Sequence, residues 1–372
     1  MDHRRHGTNR SAGRSDGLIT PHLHAVGTAV PDHDIHAAFL GWARSQIPNP
    51  REARLFDRMA ARSGIGHRWT VLPVREDGGS PIGPGGFYGE AVLPGTAARM
   101  AIYAEQAPVL ALEAIGALAE RVPLDGITHL IVASCTGFVA PGIDQIVARR
   151  LGLAPSVERL LIGFMGCYAA IAALRNARHI VRSEPTARVL VVCVELPTLH
   201  MQADETLEPL LGQLQFGDGA AAALVAAEPV GLALGRPFAT TLPDSHGLIR
   251  WDITDTGFVM HLSGEVPGRI AAGLADPDFA RAVTGGVPAE GVDGWAVHAG
   301  GRSILDAVQG ALHLSPDALD ASRRVLAANG NMSSATLMFV LSEMLERTVD
   351  RGVAIAFGPG LAAEGFSFAS AR

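Results

Sequence analysis

The sequence predicts an α/β fold with helices layered on sheets, and two patterns carry the prediction. Short runs that are apolar throughout recur along the chain, and longer stretches with helical periodicity lie between them. Such runs read as strands buried on both faces, and their alternation with helices argues for a layered α/β architecture. The 372 residues suffice for two domains or one duplicated domain. With 48% hydrophobic and 18% charged residues, the chain can bury a sizeable core.

Taken in order, residues 1–20 are polar, basic and glycine-containing, without the apolar core of a secretory signal, and predict a disordered tail. Residues 96–121 predict a helix, 129–134 a strand, and 144–151 and 168–183 two more helices. Apolar runs over 188–194, 220–226 and 295–298 predict further strands, and 304–313 and 333–351 further helices. The segments 78–95 and 237–247 read as loops. A boundary near residue 227 divides the chain into an N-terminal half over 21–227 and a C-terminal half over 228–372. No short repeat suggests a solenoid. No run of about 18 apolar residues appears, so no membrane span is expected.

The formal net charge of −7 argues against broad affinity for nucleic acid. The three cysteines, Cys135, Cys167 and Cys193, show neither CxxC nor zinc-ligand spacing. Their odd number argues against a disulfide framework and for a reducing, cytoplasmic setting.

Cys167 follows Gly163-Phe164-Met165-Gly166 and precedes an alanine-rich helical run. The glycines permit a tight turn, which sets the thiol at a helix N-terminus. There the helix dipole stabilises a thiolate and can bring its pKa below neutrality, as a nucleophile for acyl transfer requires. An inert cysteine at a packed turn reads equally well. His298 ends an apolar strand before Gly300-Gly301, where α/β folds commonly present catalytic groups, although a structural histidine fits too. Asn331, in Asn329-Gly330-Asn331-Met332-Ser333-Ser334, is either a helix cap or an N–H donor. Together the three suit one reaction. A thiolate accepts an acyl group, and two N–H donors hold the thioester oxygen on which charge develops as malonyl-CoA loses carbon dioxide.

Six separated segments, SCTGFVAPGID, GFMGCYAA, QFGDGAAAAL, AVHAGGRSILD, ANGNMSSAT and AFGPGLAAEGF, resemble in order the motifs of type III polyketide synthases, the chalcone synthase group. The resemblance runs from about residue 20 to the end. It implies a thiolase-like fold of two similar α/β halves in an αβαβα arrangement, and a homodimer. It implies loading of an acyl-CoA on Cys167, iterative extension with malonyl-CoA and cyclisation, with no metal or other cofactor. His298 and Asn331 fall on the family's base and donor. Phe216 falls on a gatekeeper between CoA tunnel and cavity, although core packing beside the FGDG turn would also explain it. Met260 stands where a second phenylalanine is usual. Arg51, Arg54, Arg58 and Arg62 share a helical spacing. The resemblance assigns Arg58 and Arg62, with Ser303, to CoA, leaving Arg51 and Arg54 as surface charges.

Cys135, His200 and Trp251 fall on cavity-lining positions, with plain core packing the alternative for Cys135. Trp251 replaces a glycine of plant relatives, so a large ring must fill or redirect the pocket. A similarly placed tryptophan in bacterial alkylpyrone-forming relatives points to a fatty acyl-CoA starter and an alkylpyrone or alkylresorcinol. A small starter in a reduced cavity is the alternative. The nearest rival activity is a β-ketoacyl synthase III, which condenses once. A non-catalytic acyl-CoA-binding protein on the same scaffold is the rival outside enzymes.

Overall fold

A computed structural model describes residues 19–90 and 92–372. Residues 1–18 of the predicted tail lie outside the described residues. Strands are β1 (His22–Ala29), β2 (His33–Asp34), β3 (Trp69–Thr70), β4 (His129–Ser134), β5 (Glu158–Gly163), β6 (Val189–Glu195), β7 (Gly219–Ala226), β8 (Leu232–Thr241), β9 (Ile249–Thr254), β10 (Gly257–Leu262), β11 (Gly294–Val297), β12 (Gly352–Gly358) and β13 (Ala362–Ser370). Helices are α1 (His36–Gln46), α2 (Pro50–Ala61), α3 (Thr96–Ala119), α4 (Ile143–Leu151), α5 (Ala169–Ser183), α6 (Leu207–Gln213), α7 (Val266–Leu274), α8 (Pro277–Thr284), α9 (Arg302–Ala311), α10 (Asp320–Asn329) and α11 (Ser334–Leu345).

Nine strands form a sheet in the order β11-β12-β13-β8-β1-β7-β6-β4-β5. It reads as one pattern used twice. β1 lies antiparallel to β7, β7 antiparallel to β6, and β6 parallel to β4. Likewise β8 lies antiparallel to β13, β13 antiparallel to β12, and β12 parallel to β11. Only His22–Leu23 of β1 and Leu232–Ala233 of β8 join the two patterns.

The period-2 alternation of the strands builds the layers. In β4 and β6, Ile131, Ala133, Val189 and Val191 enter a central core with α5 and α11, whereas Leu130, Val132, Leu190 and Val192 face α3. In β12, Ala354 and Ala356 face that same central core, whereas Val353 and Ile355 pack with Leu305 of α9 and Leu326 of α10. Helix, sheet, paired central helices, sheet and helix therefore follow one another. Each fully buried Val, Ile or Leu contributes roughly 1.5–3 kcal/mol to holding them.

One expectation changes. The segment 237–247 is not all loop, because β8 continues through Thr241 and pairs Pro237 with Phe366. Proline gives the ladder no N–H, and the register shifts beside it, between Phe366 and Phe368. Helix α3 is long and apolar enough by composition to cross a membrane; here it lies across the sheet, burying Tyr103, Leu110 and Leu118.

Candidate active site

Cys167 sits in a 3-10 turn, Gly166–Tyr168, that feeds directly into α5. Gly166 has φ +75°, and a Cβ there would lie 2.5 Å from the Pro359 ring. A Cβ on Gly358 would lie 2.6 Å from the Tyr168 ring. The Phe357-Gly358-Pro359-Gly360 segment is thus the backing of the cysteine turn, packed at distances only glycine permits.

His298 follows β11, and its backbone N–H donates to Ile355 O at 2.8 Å. The residue is 1% exposed, and neither ring nitrogen has a hydrogen-bond partner. Burial pushes its pKa down to about 3, so the resting imidazole is neutral and carries one N–H. Asn331 is held in the opposite sense. Its Oδ1 accepts from Ser333 N at 2.8 Å, while Nδ2 donates to Gly300 O at 3.2 Å, which fixes the amide's orientation. Its backbone N–H donates to Gln215 O at 2.7 Å, and Asn331 O accepts from Gly217 N at 3.1 Å. These bonds tie the loop carrying Asn331 to the segment carrying Phe216. Ser333 adopts φ +48°, an uncommon conformation for a residue with a Cβ, of a kind that clusters at functional sites.

The helix N-terminus does not bring the Cys167 thiol below neutrality. Burial pushes its pKa up to about 11, and neighbouring Glu195 adds to the rise. Hydrogen bonds with the Ser333 and Asn331 side chains act in the other direction. Desolvation outweighs the few tenths to 1 kcal/mol of a helix end. Behind the thiol lies a polar network absent from the sequence reading. Glu195 Oε2 accepts from Cys135 N at 2.9 Å, Cys135 Sγ at 3.3 Å and Thr136 Oγ1 at 2.9 Å, and Oε1 accepts from Ser334 Oγ. Cys135 Sγ also lies 3.2 Å from Ser333 Oγ. Burial pushes the Glu195 carboxyl up to about 7. A lone acid closing the apolar run of β6 was the available signal.

One cavity of about 60 Å3 brings together Cys167, His298, Asn331, Cys135 and Ser333. Phe216, Met260 and Trp251 are also in its wall, with Ile249, Leu262 and Val266. Trp251 is pinned by donating from Nε1 to Cys135 O at 2.8 Å. His200 does not reach this space. It borders a second cavity of about 220 Å3, which shares Pro197, Phe216, Trp251 and Met260 with the first. His200 stacks on Phe258 at 4.2 Å; its Nδ1 accepts from Phe258 N at 3.0 Å, and its Nε2 lies 2.7 Å from Thr136 O. Arg58 and Arg62, at the end of α2, and Ser303, in the first turn of α9, are exposed. Arg302 Nη1 donates to Arg62 O at 3.2 Å, joining the two helix ends, and Ile304 of α9 borders the Cys167 cavity. The arrangement can hold an acyl group on sulfur while two N–H donors face the same apolar space.

The family models for chalcone and stilbene synthases match the chain over residues 7–229 for the N-terminal domain and 234–371 for the C-terminal domain. PKS-I from the brown alga Ectocarpus siliculosus is 28% identical with a TM-score of 0.85, covering 96% of this chain and 100% of its own. The C-terminal type III polyketide synthase domain of Steely1 from Dictyostelium, 24% identical, has the same fold with a TM-score of 0.85, covering 95% of this chain and 100% of its own. Six motifs in order, two α/β halves of one pattern and the matches to both family domains lead to one conclusion: the chain belongs to the chalcone and stilbene synthase family, the type III polyketide synthases, which make polyketides by decarboxylative condensation.

Proposed function

We propose that this enzyme loads an acyl starter from CoA onto Cys167, extends it iteratively with malonyl-CoA, and cyclises the chain to an alkylpyrone or alkylresorcinol. The observation that carries the reading is the convergence of Cys167, His298 and Asn331 on one cavity. The neutral His298 imidazole takes the Cys167 proton as the sulfur attacks the acyl thioester, and CoA leaves as its thiol with that proton. Malonyl-CoA then places its thioester oxygen between the His298 and Asn331 N–H groups. As the carboxylate departs as carbon dioxide, its bonding pair becomes the enolate that these donors stabilise, each supplying roughly 3 kcal/mol. The enolate carbon attacks the Cys167 thioester, and the thiolate is released for the next cycle. A neutral His298 suits the donor role, and Asn331, with Oδ1 anchored by Ser333 N and one amide N–H given to Gly300 O, keeps its second N–H for the substrate. No prosthetic group takes part in these steps.

Exposed Arg58 and Arg62, with Ser303, would hold the CoA phosphates beside α9, whose Ile304 borders the Cys167 cavity. Apolar Ile249, Leu262 and Val266 favour an alkyl starter. One observation favours a short one: a water-sized group needs about 10–15 Å3 by this measure, so the 60 Å3 space admits only a few carbons unless the Trp251–Met260 wall yields. Incubation with C4 to C18 acyl-CoAs plus malonyl-CoA, read by product mass, tests the proposal. Products with two or more extensions on any of these alkyl chains support it, and a preference for the short ones is expected from the 60 Å3 space. Exclusive use of acetyl-, malonyl- or aryl-CoA would remove the alkyl reading, and a single extension would point to a β-ketoacyl synthase III activity.

A further inference from the structure

The second cavity has a feature that the condensation chemistry leaves unused. Arg68, 2% exposed, borders it. Arg68 Nε donates to His36 Nδ1 at 3.1 Å, and Nη1 donates to Gln213 O and Phe216 O, both at 3.0 Å. Nη2 has no partner. The guanidinium carbon lies 4.2 Å from the centre of the Phe39 ring. All its hydrogen-bond partners are neutral, and among the described residues no carboxylate pairs with it within 4.0 Å. The two acids nearest in charge, Asp34 and Asp218, spend their oxygens elsewhere: Asp34 on His67, His36 N and Arg68 N, and Asp218 on Thr198 and Val71 N. Burial lowers the Arg68 pKa to about 9, so it remains a cation at neutral pH. A buried cation without a counterion is costly unless an anion completes it.

We propose that this second cavity is a binding site for a small organic anion, held by the charge of the Arg68 guanidinium that borders it. The ligand class follows from the cavity's position, and this step rests on the polyketide reading above. Pro197, Phe216, Trp251 and Met260 border both this site and the space holding Cys167. The anion is therefore one that the neighbouring chemistry releases. Short polyketides supply it as a 4-hydroxy-2-pyrone ionised at its enol oxygen, or as the carboxylate of a linear β-keto acid. Both present a delocalised oxyanion suited to a guanidinium. The 220 Å3 space accepts a six-membered lactone, and Arg250, Asp252 and His261 at its exposed side mark a route to solvent.

The test is calorimetric titration of the full-length protein with Cys167 capped by iodoacetamide, which leaves the second cavity as the open site. The ligands are 4-hydroxy-6-methyl-2-pyrone, its non-ionisable 4-methoxy ether, and acetoacetate. The hydroxypyrone is expected to bind at least tenfold more tightly than the ether. Acetoacetate within threefold of the pyrone assigns the site to the linear acid, and weaker acetoacetate assigns it to the lactone; both outcomes support the site. Arg68→Met should abolish binding. Because that residue is buried, Val259→Trp is the companion variant: Val259 borders this cavity and not the first, so the indole should cost tenfold or more in affinity while thermal unfolding reports an intact fold. Equal binding of ether and hydroxypyrone, unchanged affinity in Val259→Trp, or no binding to the capped protein would overturn the proposal. The titration needs no turnover, so failure of the polyketide assay and failure of this site are read separately.

Discussion

At the scale of single residues, the site is a contest between burial and compensation. Cys167 is held as a neutral thiol by its surroundings, and the Glu195 carboxylate is one of the groups that hold it there. Glu195→Gln removes that charge, so alkylation of Cys167 by iodoacetamide at pH 8 should accelerate about threefold or more, as followed by intact mass. The same substitution has a pH signature in stability. The folded-state pKa of Glu195, about 7, lies above the ordinary carboxyl value, so its contribution is fully present below pH 4.5 and is lost as pH rises through 7. The Glu195→Gln protein should therefore gain about 1–3 kcal/mol relative to wild type between pH 5 and pH 8, measured by denaturant unfolding at each pH. Cys167, His298 and Asn331 were legible because each stands in a short run of glycines and small residues at an element's end. Glu195 and Arg68 were not, because what makes them informative is the partners that burial gives or denies them, and those come from up to 148 positions away.

Elements set how closely these residues meet. The turn before α5 and the end of β12 interlock through Gly166 and Pro359. Gly166→Ala places a Cβ 2.5 Å from the proline ring at φ +75°, which should cost about 2 kcal/mol or more in stability. It should also slow acyl loading, read by the mass of the acyl-enzyme. The β9–β10 hairpin carries Trp251 and Met260 opposite each other in register and forms much of the partition between the cavities. Trp251→Gly opens that partition, so the preference for C12 over C4 starters should rise about tenfold in competition assays read by product mass. The buried strands β4, β6 and β7 were legible as unbroken apolar runs. β5, with exposed Leu160 and Leu161, lacks such a run, and Pro237 hid the continuation of β8 because a proline gives a ladder no N–H and reads as a strand's end.

For the whole molecule, the repeated strand pattern brings β4 and β11 to equivalent places, so His298 after β11 meets Cys167 from the other half. Sequence pattern suggested two halves, but the joint through two residue pairs of β1 and β8 depends on long-range pairing that no local periodicity reports. Strand β5 ends the sheet with Leu160, Leu161 and nearby Phe138 exposed, an edge suited to a second copy of the chain. Sedimentation should find a dimer, and Leu161→Arg should weaken it at least tenfold. The central claim is that three distant side chains perform one decarboxylative condensation, and malonyl-CoA decarboxylation by Cys167→Gln tests it most directly. That variant should release carbon dioxide without loading an acyl group, and adding His298→Ala or Asn331→Ala should slow the release about 100-fold. Release that is unchanged by both additions would contradict the account.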